Sequence, residues 1–87
     1  MRKNQEKIYN AIAAKGNWIG ENTSVTTNGG VTTIVYYYTT IAVINHTNKT
    51  AKIDNGGYNT VSTTSRINAV KKFCEDKGYH YSVKWYL

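Results

Sequence analysis

The fold is decided by residues 28–46, which have the sequence NGGVTTIVYYYTTIAVINH. Two runs of β-branched and aromatic residues follow an Asn-Gly-Gly step, and these residue types favour a pleated, half-buried surface. Asn and Gly tolerate positive φ, so residues 28–30 predict a tight turn between two strands. The centre of the chain is therefore predicted to be a β-meander.

The same composition extends outward from about Glu21 to Thr60 and predicts four antiparallel strands, near residues 22–27, 31–38, 41–46 and 50–54. Turns are predicted near 28–30, 39–40 and 47–49, and a second Asn-Gly-Gly turn at 55–57. Alternation of side chains predicts a fifth strand at residues 81–87.

Two helices are predicted beside this sheet. The main one spans residues 64–77, with Thr63, Thr64 and Ser65 as cap candidates and Gly78 at its end. A shorter helix, up to Gly16, has a narrow apolar stripe and is expected to pack weakly.

The predicted fold class is α+β: an antiparallel sheet of about five strands, one main helix packed on it, and a short N-terminal helix. Its 87 residues predict a single domain, with the N-terminal helix at 1–16 and the sheet-and-helix core at 20–87. The predicted core residues are Ile53, Ile67, Val70, Phe73, Val83 and Trp85.

Charge and cysteine content restrict the function. Eleven Lys and Arg against five Asp and Glu give a net charge of +6, which favours contact with phosphates or an acidic partner. The single cysteine and the histidine positions lack zinc-site spacing, so neither metal nor cofactor is expected. His46 and His80 have no catalytic partner at a recognised spacing and are interpreted as surface histidines, and Cys74 as an inert buried thiol. A non-enzymatic protein is predicted.

Arg66 is the centre of the candidate site. It lies at the edge of the apolar face, in what is predicted to be the first helical turn, where a cation opposes the helix dipole and needs a partner. One reading is structural, with Arg66 paired to Asp54 or a turn carbonyl. The other is a pocket for a phosphate or carboxylate. Its contact residues would be Lys52, Tyr58, Thr63, Thr64, Ser65 and Arg66.

Tyrosines supply a second candidate surface. Tyr36, Tyr37 and Tyr38 are consecutive, so a strand there points them to both faces of the sheet. Tyr36 and Tyr38 are the candidates for an exposed aromatic surface, which would stack on bases or anchor a protein interface. Packing within the sheet is the alternative.

Three segments resemble a loose family of small phage and prophage proteins: residues 55–60 (NGGYNT), 63–68 (TTSRIN) and 83–87 (VKWYL). The stretches 20–25 and 36–44 also fit, so the resemblance covers roughly residues 20–87 and leaves out the N-terminal helix. It implies a phage protein acting inside a bacterium. Small phage accessory proteins commonly bind and disable a host or defence machine, as anti-CRISPR inhibitors do.

The function that this resemblance implies is an inhibitor of a bacterial protein or nucleoprotein complex, located in the host cytoplasm and without a membrane association. A direct nucleic-acid-binding protein is the alternative, motivated by the basic charge. A third hypothesis is a sponge for a small anionic nucleotide signal, whose cleft would need a dimer interface. The target, the host and the oligomeric state stay open.

Overall fold

A computed structural model describes residues 3–57 and 60–84. Its elements follow in the order α1 (Lys3–Ala13), β1 (Trp18–Gly20), β2 (Thr23–Asn28), β3 (Val31–Tyr36), β4 (Thr39–Asn45), β5 (Thr50–Asp54), α2 (Val61–Lys77) and β6 (His80–Lys84). The strands form one sheet in the order β1-β2-β3-β4-β5-β6. The predicted α+β class is confirmed, with six strands in place of about five.

Two-residue loops join the first four strands: Glu21-Asn22, Gly29-Gly30 and Tyr37-Tyr38. All six loop residues have positive φ, between 47° and 80°. Positive φ at both loop positions belongs to type I′ turns, whose twist matches that of the flanking strands. The Asn-Gly-Gly turn at 28–30 was predicted correctly. The next turn lies at Tyr37-Tyr38, not at 39–40, so β3 ends at Tyr36.

The last strand pair departs from the predicted antiparallel sheet. β5 and β6 are parallel, with Thr50 beside His80 and Asp54 beside Lys84. The reason is α2, which returns the chain along the sheet so that β6 starts at the same end as β5. Strand β1 was not predicted, because three residues are too few to show an alternating pattern.

Helix α2 begins three residues before the predicted start. Thr60 is its N-cap, and its hydroxyl accepts a hydrogen bond from the Thr63 N–H at 3.2 Å. Arg66 therefore lies in the second turn, not in the first. The helix ends as predicted at Gly78, which has φ 73° and donates its N–H to the Cys74 carbonyl.

Both helices cover one face of the sheet, and α1 packs against α2. Ile8 and Ile12 of α1 are fully buried, and the Gln5 side chain donates to the Ser65 carbonyl of α2 at 2.9 Å. The N-terminal helix was expected to pack weakly, whereas it belongs to the core. The helix spans Lys3–Ala13, so it ends before residue 16, where its end was predicted.

The predicted core is largely found in place. Ile53, Ile67, Val70 and Phe73 are buried, and Val83 is half-buried. Trp85 lies outside the described residues. Neither helix, over its described length, is long and apolar enough to cross a bilayer.

We expect Ile12→Ala to lower the free energy of unfolding by about 2–5 kcal/mol, since it removes a fully buried side chain and leaves a cavity between α1, α2 and the sheet. Urea denaturation measures this. The control is Asn10→Ala, an exposed position on the same helix. A loss below about 1 kcal/mol for Ile12→Ala would show that α1 is only loosely attached.

Candidate functional site

The Arg66 side chain connects α2 to the loop between β1 and β2. It is only 6% exposed. Its Nε donates to the Thr23 hydroxyl at 2.6 Å, its Nη2 to the Glu21 carbonyl at 3.2 Å, and its Nη1 to the Ser62 carbonyl at 2.9 Å. The guanidinium carbon lies 4.3 Å from the centroid of the Tyr36 ring. Such cation–π contact is attractive, more so when it is desolvated.

The residues predicted to form a phosphate pocket with Arg66 are not brought together. Lys52 lies in β5 between Ala51 and Ile53, both buried beneath the helices, so its side chain projects from the opposite face of the sheet. Tyr58 lies outside the described residues. A pocket that includes Lys52 and the start of α2 would need side chains from both sides of the sheet.

The hydroxyl residues of the predicted pocket lie within α2. Thr63 is fully buried, and its hydroxyl lies 3.1 Å from that of Thr60. Thr64 and Ser65 are half-buried. Thr63 and Arg66 are therefore interior groups, and Arg66 holds the helix against the β1–β2 loop.

The three consecutive tyrosines have different surroundings. Tyr36 is 8% exposed beneath Arg66, because it ends β3 on the face that the helices cover. It therefore does not contribute to an exposed aromatic surface. Tyr37 is 47% exposed and Tyr38 is fully exposed at the tip of the hairpin. Tyr37 was not among the predicted surface residues, since the turn was expected after it.

Tyr37 ties the two neighbouring loops together. Its N–H donates to the Asn22 carbonyl at 3.0 Å, and its hydroxyl accepts from the Asn22 side-chain amide at 2.9 Å. Its ring makes an edge contact with Tyr36, with 4.6 Å between centroids. Arg66 supports the β1–β2 loop from the interior through the Glu21 carbonyl, and it contacts the ring of Tyr36, the residue before the Tyr37-Tyr38 loop. The loops are thus held in place before any partner binds.

We call the outer surface of these loops the tip surface; it consists of Ile19, Glu21, Asn22, Ser24, Tyr37 and Tyr38. These residues line an open groove of about 420 Å³. Ile19 is 83% exposed, so three large apolar side chains face solvent here. Ile19 was missed by sequence reasoning. Asn22, a residue that tolerates positive φ, was the available signal for a turn at this point.

The tip surface differs in charge from the rest of the molecule. Among the described residues that line its groove, Glu21 is the one that is charged, and its carboxylate accepts a hydrogen bond from the Asn4 side chain. The chain as a whole carries +6. The chemistry here is therefore aromatic, apolar and slightly acidic, which suits a protein surface better than a phosphate group.

The backbone conformation of the Tyr37-Tyr38 loop is unfavourable for tyrosine. Their φ values are 49° and 66°, in the left-handed region that bulky side chains seldom adopt. Such conformations cost about 1–3 kcal/mol and cluster at functional sites. The loop at the other end of β3 has glycine at both positions. Tyrosine at both loop positions therefore costs conformational free energy. Packing does not offset this cost for Tyr38, because its side chain is fully exposed.

His46 is buried, not at the surface as its position near a turn indicated. Its Nε2 lies 2.6 Å from the Thr32 hydroxyl and its Nδ1 2.8 Å from the Tyr79 hydroxyl. Thr32 in turn bonds Thr27, which donates to the Gly16 carbonyl. Because Thr27 uses its only proton on that carbonyl, Thr32 donates to Thr27 and accepts from Nε2–H. Burial lowers the pKa of His46 and so favours the neutral ring, in which the Tyr79 hydroxyl donates to Nδ1.

The remaining reactive groups show no catalytic arrangement in the part of the chain that the structure describes. Burial raises the pKa of the Cys74 thiol to about 11, with the Glu75 charge as a second cause, so the thiol stays protonated at neutral pH. His80 is exposed. No group of three metal-ligating side chains occurs among the described residues.

Comparison with known protein families identifies the family of this chain. The model of the Kyanoviridae Gp96 protein matches residues 1–87. The chain belongs to this family. It is thus a small phage protein of the cyanophage Gp96 family, and the match includes the N-terminal helix, which the resemblance to phage proteins had left out. No curated protein and no solved structure matches it.

Arg66→Gln in this Gp96-family protein is expected to lower the free energy of unfolding by about 2–3 kcal/mol, because the buried Thr23 hydroxyl and the part-buried carbonyls of Glu21 and Ser62 lose charged donors. Arg66→Lys is expected to recover only part of this, since an ammonium cannot reproduce the planar fork. Lys72→Gln, on the exposed face of α2, is the control. Equal stability of all three variants in urea would contradict the structural role of Arg66.

The stability of the fold should depend on pH through His46. Burial, and secondly the charge of Lys15, lower the pKa of His46 below its usual 6.5. The unfolded chain therefore binds a proton more readily, and the stabilisation is complete above about pH 6.5 and is lost as the pH falls towards the folded-state pKa. Urea denaturation at pH 7.5 and at lower pH measures it.

His46→Gln should reduce this loss of stability as the pH falls below about 6.5, whatever it does to the absolute stability. His80→Gln, at an exposed position, should leave the dependence as it is in the natural chain. The same pH dependence in both variants would show that His46 is not its source.

Proposed function

We propose that this Gp96-family protein is a non-enzymatic accessory protein that binds a protein of the infected bacterium through the tip surface and inhibits the complex to which that protein belongs. The observation that carries the proposal is the Tyr37-Tyr38 loop, with a fully exposed tyrosine held in a left-handed conformation. Exposed aromatic side chains of this kind dominate binding energy at protein interfaces.

The contacts beneath the loop support a binding role. Tyr37 is fixed by Asn22, and the loop before β2 is fixed by Arg66. Tyr38 is thus presented from a rigid base, which limits the conformational entropy lost on binding. Ile19 and the groove beside it add apolar area next to this anchor. A partner with a complementary cavity for the Tyr38 ring fits this geometry.

The charge of the tip surface bears on whether its partner is a protein, a nucleic acid or an anionic nucleotide. A phosphate backbone or an anionic nucleotide needs cationic side chains, and the described residues that line the groove at the tip surface include Glu21 and no lysine or arginine. A protein partner is therefore the occupant that this surface favours. The target we propose is a host defence complex in the bacterial cytoplasm, by analogy with anti-CRISPR inhibitors of other phages.

The test compares the natural chain with Tyr38→Gly. Glycine suits positive φ, so the variant should keep or gain stability, by up to about 1 kcal/mol. Its binding should fall about 30-fold or more, as loss of an aromatic anchor does. The tagged protein is used to capture partners from a lysate of the cyanobacterial host, in the presence and absence of nuclease, and the captured protein is identified by mass spectrometry.

Val61→Ala is the matched control, because Val61 is an exposed apolar residue outside the tip surface. We expect one protein to be captured by the natural chain and by Val61→Ala, with or without nuclease, and to be lost with Tyr38→Gly. Capture that survives in Tyr38→Gly would contradict the proposal, and so would capture that nuclease abolishes.

Inhibition is tested separately with the captured complex in purified form. Its activity should fall on addition of the natural chain and remain with Tyr38→Gly. Binding without loss of activity would leave the interaction surface supported and the inhibitor role rejected.

A further inference from the structure

The face of the sheet that the helices do not cover has two distinct regions. Ile19 and Ser24 of the tip surface lie at the β1–β2 side. On the β5–β6 side the outward residues are polar or charged, because Ala51 and Ile53 take the inward positions. Strand pairing places three basic residues on this side of the face, and a fourth lies in the loop before β5; we call these residues the basic strip: Lys52, His80, Lys84 and, in the loop, Lys49.

Strand pairing orders the basic strip along the sheet. His80 is paired with Thr50, next to Lys49, and its N–H donates to the Lys49 carbonyl at 2.9 Å. Lys52 is paired with Ser82, and Lys84 lies beside Asp54. Residues on one face of a strand recur about every 7 Å, so the basic groups follow one another across the face. All four residues are exposed.

Among the described residues, Asp54 is the acidic group that lines the groove beside the basic strip. Asp54 lies at its far end, is half-buried, and accepts the Gly56 N–H at 2.6 Å through its carboxylate. Lys52, Lys84, Thr40 and Ser82 line a groove of about 310 Å³ together with Asp54 and apolar residues of β4 and β5, of which Val43 is exposed. Hydroxyl groups beside ammonium groups are the donors that proteins use to contact phosphates.

We propose that the basic strip binds the phosphodiester backbone of single-stranded nucleic acid. Nucleic acid is favoured over a protein partner because the described residues of the strip and of its groove are rich in lysine and hydroxyl groups and include no exposed aromatic side chain. A cationic groove that follows the backbone is the electrostatic part of single-strand binding. The site differs from the tip surface in both position and charge, so it does not depend on the proposed protein partner.

Fluorescence anisotropy with a labelled single-stranded DNA of about 20 nucleotides measures the binding, over a range of salt concentrations. Three lysine contacts predict a slope of log affinity against log salt of about −2, and Lys52→Gln/Lys84→Gln should reduce its magnitude by about 1.4. Lys3→Gln/Lys7→Gln removes the same charge from exposed positions of α1 and should change affinity by less than about twofold.

Two results would overturn the proposal: no binding at low salt, or equal weakening by the two double variants, which would reflect net charge alone. Thermal unfolding of both variants checks that each is folded, and Lys52→Gln alone provides a milder variant with an expected slope change of about 0.7. Tyr38→Gly should bind the DNA as the natural chain does, so this test and the test of the tip surface fail independently.

Discussion

The buried guanidinium of Arg66 is the interaction on which the arrangement of this protein depends. It joins α2 to the β1–β2 loop through Glu21 and Thr23, and it lies over the ring of Tyr36 at the end of β3. A charged group out of water is tolerated only with well-placed partners, so these elements are constrained together. The same contacts form the base of the loops that carry the tip surface. Stability and the presentation of the exposed tyrosine are therefore linked through one side chain.

The two faces of the sheet have separate roles. The covered face holds the apolar core, Arg66 and the His46 network, in which every described buried side-chain polar atom has a partner. The open face holds the exposed aromatic and apolar groups at the β1–β3 side and the basic groups at the β5–β6 side. A largely antiparallel sheet with one solvated face is ordinary. What is unusual here is that tyrosines occupy a tight loop where glycine or asparagine would be expected.

Several features could be predicted from the sequence because they depend on local chemistry. The Asn-Gly-Gly step at 28–30, the apolar face of the main helix and Gly78 as its end all follow from backbone preferences and periodicity. The end of β3 could not be predicted, since three consecutive tyrosines fit a strand as well as a turn. Their division, with Tyr36 buried and Tyr38 exposed, arises because β4 pairs Thr39 with Tyr36. The sequence also could not predict whether the Lys52 side chain lies on the covered or the open face of the sheet, because this depends on which face α2 covers.

The sequence by itself determined the α+β class, the meander, the sites of glycine turns and the basic charge, because each of these is a property of neighbouring residues or of composition. Only the tertiary structure decided that β6 runs parallel to β5, that α1 completes the core, and that Arg66 and His46 are interior groups. These depend on contacts between residues far apart in the chain, such as Arg66 with Thr23 and His46 with Tyr79. Local preference carries no information about such pairs, and burial of a polar group becomes favourable only when its partner has been brought to it.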